Sequence, residues 1–174
     1  MSKKKSTWSM IKSVLKREKD VALLVDGPNI LRKFDGRQVK LEDIEEAAAQ
    51  LGKIVMAKVY LDTNAPAKLV QAVTNSGFEP VVVTQDIHIT MAVDVYNLIY
   101  ANDTQVLAIA SRHARCAPLL RKVKEKGVET VILGFEPGFA VALKNSADYV
   151  FELAPKEMER APVTENASKH DSEG

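Results

Sequence analysis

The feature that most constrains this chain is a regular alternation of short apolar, β-branched runs with stretches of helical pattern. The apolar runs lie at 21–25, 54–61, 80–84, 105–110, 130–133 and 149–153. The helical stretches between them lie at 41–51, 65–76, 87–101, 118–126 and 139–145. Strands that alternate with helices of this length form right-handed βαβ units. The sequence therefore predicts a three-layer α/β/α domain around a central, mostly parallel sheet of five to six strands.

The composition limits the class of protein. The chain has 174 residues, of which 46% are hydrophobic and 27% charged, enough for one domain with a substantial core. A net charge of +1 argues against a surface built entirely for nucleic acid, so that any such role needs a local patch. The single cysteine, Cys116, excludes a disulfide framework and favours a reducing, cytoplasmic location. No apolar run approaches the roughly 20 residues that span a bilayer, and no membrane partner is expected.

The two ends of the chain differ from its centre. Residues 1–19 carry seven Lys or Arg against one Glu, and Trp8, Ile11, Val14 and Leu15 recur at helical spacing. This pattern predicts a basic amphipathic helix, which could pack on the domain or contact nucleic acid or a membrane. Residues 155–174 lose the apolar periodicity and are predicted to be a disordered tail. The domain that carries the function is predicted at 20–154.

Polar residues follow the predicted strands at their carboxyl ends, which is the edge where open α/β sheets bind ligands. Asp26 and Asn29 follow the first strand, in the motif Val-Asp-Gly-Pro-Asn. Asp62 and Asp86 follow the next two, and the fourth is followed by Ser111, Arg112, His113 and Arg115. Asp94 lies inside the predicted helix 87–101; it stands eight residues after Asp86, which places both acids on one helix face.

Carboxylates that gather at one site repel each other unless a cation separates them. Mg²⁺ is the usual hard cation with oxygen ligands, and such a site would support metal-assisted phosphodiester cleavage. Each acid also has an ordinary interpretation. Asp26 and Asn29 are common turn residues, Asp86 is a good helix N-cap, and Asp94 could be exposed on a half-buried helix.

Other chemistries are less well supported. The chain has no glycine-rich phosphate loop, and His88, His113 and His170 lack the spacing of metal ligands. Cys116 lies near His113 in sequence, but a lone cysteine at such a position is usually a small buried side chain.

Taken together, these motifs resemble the NYN domains, a branch of the PIN-like nuclease fold. The resemblance covers residues 21–153 and rests on the Asp26 to Asn29 motif, on Asp86 followed by Ala-Val-Asp94, and on the segments 118–120, 134–139 and 147–150. It implies a PIN-like sheet whose acids bind Mg²⁺ or Mn²⁺ and cleave RNA. Asp26 would be the first acid of that site, Asn29 the residue that orients it, and Asp94 the acid of the central helix.

The chain departs from the family pattern at two places. RNA-cleaving NYN domains typically have two acids in the loop after the fourth strand, where this chain has His113 and Arg115. A further acid two residues after Asp86 is replaced by His88. A guanidinium in the site would oppose a metal by about as much as a carboxylate attracts it, whereas Ser111, Arg112, His113 and Arg115 suit a phosphate oxygen or form a solvated basic loop.

Three hypotheses follow. The preferred one is an RNA-binding NYN domain in which metal-dependent cleavage is lost or weakened. The second is an active Mg²⁺- or Mn²⁺-dependent ribonuclease that uses Asp26, Asp86 and Asp94. The third is a regulatory module that binds a protein partner or a second copy of the chain.

Overall fold

A computed structural model of the chain describes residues 18–101 and 104–157. The strands are β1 (Asp20–Asp26), β2 (Arg37–Gln38), β3 (Lys53–Asp62), β4 (Glu79–Val83), β5 (Val106–Ala110), β6 (Glu129–Gly134), β7 (Tyr149–Glu152) and β8 (Lys156–Glu157). The helices are α1 (Gly27–Ile30), α2 (Leu41–Ala49), α3 (Ala67–Asn75), α4 (Ile87–Ala101), α5 (Ala117–Lys124) and α6 (Val141–Ser146). A single 3₁₀ turn, Ala114–Cys116, precedes α5.

Six of the strands form one sheet in the order β4-β3-β1-β5-β6-β7, and every neighbouring pair is parallel. This confirms the predicted α/β fold. The order reverses between β1 and β5, because the chain runs outward from β1 through β3 to β4 and then returns to the other side of β1. Such a reversal opens a crevice outside the carboxyl ends of the two strands. Val25 pairs with Ala110 at that edge, so Asp26 and Ser111 leave the sheet side by side.

The core lies on both faces of the sheet. Val21, Leu23 and Val25 pack with α2 and α3 on one face, whereas Ala22 and Leu24 pack with α4, α5 and α6 on the other. Because β1 is covered on both faces, its sequence is a continuous apolar run and does not alternate. The same alternation directs Asp26 towards the α4 face, on which Ala22 and Leu24 lie.

The described residues include only small parts of the predicted N-terminal helix and C-terminal tail. Of the predicted amphipathic helix, residues 1–17 lie outside the described residues, and residues 18 and 19 have no regular structure. Within the predicted tail, Lys156–Glu157 forms β8, which pairs with β2. A short strand therefore extends into a segment predicted to be disordered, because β2, more than a hundred residues earlier in the chain, supplies the partners for its backbone groups. Residues 158–174 lie outside the described residues.

In the part of the chain that the structure describes, no helix is both long enough and apolar enough to cross a membrane.

Candidate functional site

The motif that follows β1 turns the chain sharply over β3. Helix α1 begins at Gly27, directly after Asp26, and Pro28 stands in its first turn. A Cβ atom at Gly27 would lie 2.5 Å from the carbonyl oxygen of Tyr60, so only glycine allows this close approach. The turn keeps Asn29 beside the loop that follows β5. The motif thus forms the start of a short helix, whereas the sequence predicted a strand end followed by a turn or a ligand site.

Asp26 is buried at the carboxyl end of β1, with 3% of its surface exposed. Its Oδ2 accepts a hydrogen bond of 2.9 Å from Ser111 Oγ, and His88 Nε2 lies 3.2 Å from the same oxygen. A buried carboxylate needs such partners, because burying its charge without hydrogen-bond donors costs roughly several kcal/mol of free energy. The structure therefore brings Asp26 together with Ser111 and His88.

Asn29 fixes the loop that follows β5. Its Oδ1 accepts a hydrogen bond of 2.7 Å from the backbone N–H of Arg112 and lies 3.5 Å from Ser111 Oγ. Asn29 thus holds the loop that carries Ser111, whose hydroxyl group donates directly to the Asp26 carboxylate.

The imidazole of His88 lies between two carboxylates. Its Nε2 is 3.2 Å from Asp26 Oδ2, and its Nδ1 is 3.2 Å from Asp86 Oδ1. Asp86 also accepts the backbone N–H of His88 at 2.8 Å and a hydrogen bond of 2.8 Å from Arg115 Nη1. The His88 backbone hydrogen bond is the largest cause that lowers the pKa of Asp86, and His88 and Arg115 add to it. Both carboxylates therefore already accept hydrogen bonds from other groups of the chain.

Asp94 has different partners. Its Oδ2 accepts a hydrogen bond of 2.6 Å from the Tyr60 hydroxyl group and one of 3.2 Å from Lys58 Nζ. Burial, followed by the hydrogen bond to Asp94, raises the pKa of Tyr60, which keeps its hydroxyl group protonated as a donor. Asp94 therefore connects α4 to the middle of β3.

The three acids predicted as metal ligands do not form one cluster. Within the described ranges, the titratable side chains whose ligand atoms all lie within 4.8 Å of one another are Asp26, His88 and Cys116. Burial raises the pKa of the Cys116 thiol to about 12, so the thiol is protonated at neutral pH. Mg²⁺ prefers an all-oxygen shell, and Mn²⁺ is likewise suited to oxygen ligands. One carboxylate, one imidazole and one protonated thiol do not fit either ion.

The side chain of Arg112 is fixed by contacts with residues around the carboxyl edge of the sheet. Its guanidinium carbon lies 4.3 Å from the centre of the Phe135 ring and 5.4 Å from that of Phe34. Nη1 donates to the carbonyl oxygen of Pro137 at 2.7 Å, and Nη2 donates to that of Asn29 at 3.3 Å. Burial is the main cause that lowers the pKa of this guanidinium. The structure thus gives Arg112 partners that join three loops, and its predicted contact with phosphate stays a prediction.

An open groove with a volume of about 320 Å³ lies over this edge. It is lined by Asp26, Asn29, Asp62, Gln85, His88 and His113, among others. The rings of His88 and His113 lie 5.2 Å apart, and Nδ1 of His113 accepts the backbone N–H of Arg115. In the neutral ring this leaves the proton of His113 on Nε2 as a donor. Arg115, whose side chain is 62% exposed, lies beside the groove on Asp86.

Sequence reasoning missed Lys58 and Tyr60, the partners of Asp94. A period of two along β3 places both side chains on the face that α4 covers, and that pattern could have indicated them. It also missed Phe135, because this residue meets Arg112 only through the pairing of β5 with β6.

Comparison with known proteins identifies relatives of this chain and the family to which it belongs. An uncharacterized protein of Methanocaldococcus jannaschii is 42% identical over 138 residues, which are 79% of this chain and 57% of that protein. The chain thus spans somewhat more than half the length of this curated relative. A protein of unknown function from Vibrio parahaemolyticus has the same fold, with a TM-score of 0.70 at 17% identity over 80% of this chain and 95% of its own. The model of the NYN domain matches residues 20–154, so the chain belongs to the NYN domain family and carries its nuclease-like, PIN-like domain.

Proposed function

We propose that this NYN domain binds RNA in the groove beside Asp26 and that metal-dependent cleavage is lost or strongly weakened. The observation that carries this proposal is the position of His88, whose ring nitrogens each lie 3.2 Å from a carboxylate oxygen, one of Asp26 and one of Asp86. The imidazole takes the space in which a metal ion shared by the two acids would lie.

The magnitudes support a weakened metal site. Two unit charges 4 Å apart interact by roughly 4 kcal/mol at an effective dielectric constant near 20. A metal ion would have to displace His88 from Asp26 and would gain nothing from Asp94, which already binds Lys58 and Tyr60. Arg115 contributes less, because its ion pair with Asp86 is exposed and is screened by solvent. We therefore expect His88 to be the residue that most opposes metal binding at this site.

The donors at the groove suit phosphate. His113 offers Nε2–H, and the exposed Arg115 guanidinium can form two parallel hydrogen bonds to phosphate oxygens. Arg112 is expected to support this binding indirectly, because its own hydrogen bonds go to the carbonyl groups of Asn29 and Pro137. RNA is the expected ligand because the NYN resemblance implies it and because these donors recognise its backbone.

Fluorescence anisotropy of a labelled single-stranded RNA with the full chain tests the proposal. We expect a salt-dependent affinity, and we expect Arg115→Ala to weaken it about threefold and to reduce the salt slope by about one unit. Lys126→Ala is the matched control, since it removes one positive charge just before β6, at the opposite end of the sheet.

The same RNA incubated with Mn²⁺ separates the rival functions. Cleavage that is abolished by Asp26→Asn would show an active metal-dependent ribonuclease and would overturn the proposed loss of activity. Absence of any RNA affinity, together with a stable complex between protein chains, would instead favour a protein-binding module.

A further inference from the structure

Three side chains of different chemistry bring their ligand atoms together at the carboxyl edge of the sheet. Asp26 ends β1, His88 lies in the first turn of α4, and Cys116 ends the 3₁₀ turn before α5. One carboxylate oxygen, one ring nitrogen and the sulfur atom of these residues all lie within 4.8 Å of one another. Asp26 and Cys116 are buried, and the side chain of His88 is 19% exposed. The fold thus places an oxygen, a nitrogen and a sulfur donor at one position that is largely shielded from water.

The spacing of these atoms suits a tetrahedral ion. Zinc binds oxygen and nitrogen at about 2.0 to 2.2 Å and sulfur at about 2.3 Å, so neighbouring ligand atoms in its tetrahedron are about 3.3 to 3.6 Å apart. His88 Nε2 and Asp26 Oδ2 are 3.2 Å apart, which is close to this separation. The sulfur atom of Cys116 needs to approach by about 1 Å at most. The three donors can therefore reach one zinc ion with a small movement of one side chain.

The second ring nitrogen of His88 has the kind of partner that a metal-bound histidine needs. Its Nδ1 lies 3.2 Å from Asp86 Oδ1. Histidines that bind a metal almost always donate their other ring N–H to a carboxylate, a carbonyl group or water, which fixes the tautomer and the orientation of the ring. Asp86 is in turn held by the backbone N–H of His88 and by Arg115 Nη1, each at 2.8 Å. Asp86 therefore orients His88 for coordination through Nε2.

The contact between Nε2 and Asp26 gives an independent argument for a cation. A neutral imidazole donates through one ring nitrogen only, and the other nitrogen carries a lone pair. When Nδ1 donates to Asp86, the lone pair of Nε2 faces Asp26 Oδ2 at 3.2 Å, and the two groups repel each other. A proton or a metal ion on Nε2 removes this repulsion. A metal ion also binds the sulfur atom beside them, which a proton on Nε2 does not.

We infer that Asp26, His88 and Cys116 bind a Zn²⁺ ion, with a water molecule as the fourth ligand. Mg²⁺ and Mn²⁺ suit oxygen ligands, whereas Zn²⁺ accepts a mixed set of carboxylate, imidazole and thiolate. Zinc removes the proton from a thiol that coordinates it, so the protonated Cys116 becomes a ligand when the ion binds. His88 opposes an ion shared by Asp26 and Asp86, but it is itself a ligand of the zinc ion. The same residue thus disfavours one class of metal and favours another.

The zinc site has a consequence for the groove. Asp26 and His88 line the groove, which gives the ion a path of entry and leaves room for the water molecule. A phosphate oxygen of bound RNA can take the place of this water molecule. That replacement rests on the proposed RNA binding, whereas the binding of zinc does not.

Cobalt(II) is the probe that tests the ligand set. The full chain is freed of metal with a chelator and titrated with Co²⁺. We expect the visible absorption of tetrahedral cobalt together with a near-ultraviolet charge-transfer band from thiolate to cobalt, and added Zn²⁺ should abolish both. Cys116 is the only cysteine of the chain, so the charge-transfer band has no other source. Cys116→Ala should remove that band.

Competition with a chromophoric chelator measures the affinity for Zn²⁺. His88→Asn removes a ligand and should weaken the binding by more than about a hundredfold. Asp86→Asn should weaken it about tenfold, because a neutral carboxamide orients the ring of His88 less strongly. Asp62→Asn is the matched control, since it removes a carboxylate that lines the same groove and lies outside the three ligands. Circular dichroism verifies that each variant is folded.

X-ray absorption at the zinc edge needs no variant. One sulfur ligand at about 2.3 Å and nitrogen or oxygen ligands at about 2.0 Å would support the site in the unaltered chain. A zinc spectrum without a sulfur ligand, a cobalt complex without the charge-transfer band, or an unchanged zinc affinity in His88→Asn would overturn the inference. None of these measurements contains RNA, so a failure of RNA binding would leave the zinc result intact, and a failure of zinc binding would leave the RNA result intact.

Discussion

Asp26 and Asp94 lie on the same side of the sheet, yet the fold gives them different surroundings. Asp26 ends β1 at the groove, where its partners are the Ser111 hydroxyl group and the imidazole of His88. Asp94 lies two turns into α4 and bonds to Tyr60 and Lys58 on β3. One acid borders the groove, whereas the other joins a helix to a strand.

A residue can thus match a family motif and still have its own set of partners in a given chain. The resemblance assigns both acids to one metal site, but Lys58 balances the charge of Asp94 within the fold. We therefore expect substitutions of Asp94 to change stability and substitutions at the groove to change ligand binding. Four predictions test this division, from the largest expected effect to the smallest.

Asp94→Ala should lower the free energy of unfolding by about 2 kcal/mol, because it leaves the Tyr60 hydroxyl group and Lys58 without their partner. Urea denaturation of the full chain measures this loss. The double variant Lys58→Met with Asp94→Leu should lose less than the sum of the two single variants. A loss of RNA affinity at unchanged stability would place Asp94 in the binding site and break the comparison.

His88→Asp should raise the affinity for Mn²⁺ about tenfold, since it replaces the group between Asp26 and Asp86 with a third carboxylate. Calorimetric titration of the full chain measures the affinity. The control His88→Asn removes the imidazole without adding an acid. Equal affinities for the two variants would show that charge at position 88 does not limit metal binding.

Asp26→Asn should strengthen RNA binding about twofold, because it removes a negative charge from the wall of the groove that phosphates approach. Anisotropy titration measures the change, with Asp94→Asn as the control whose RNA affinity should stay at the level of the unaltered chain. If both variants bind RNA equally, the two acids do not differ in their access to the ligand.

Asp86→Asn should alter the pH dependence of stability. The pKa of Asp86 is lowered in the folded chain, so its stabilising contribution is present above its ordinary pKa near 4 and is lost as the pH falls through the lower folded value. Thermal unfolding at a series of pH values below about 4 should therefore show a shallower slope for Asp86→Asn. A slope equal to that of the unaltered chain would contradict the pairing of Asp86 with His88 and Arg115.

Much of the fold could be predicted from the sequence, because hydrophobic periodicity is a local property. The strand and helix positions were predicted within a few residues, and the edge that carries Asp26 followed from the parallel topology. The short strands β2 and β8 were not predicted, since their pairing joins residues more than a hundred positions apart.

The sequence by itself determined the sheet and the edge at which open α/β sheets bind ligands. Only the tertiary structure decided which charges meet there. His88 follows β4 and Asp26 ends β1, and the two meet because the sheet order and the start of α4 bring them within 3.2 Å. Ion pairs and hydrogen bonds depend on distances of a few ångströms, and spacing along the chain does not fix such distances. The fold, rather than the motif, therefore assigned Asp26 to the groove and Asp94 to the packing of α4.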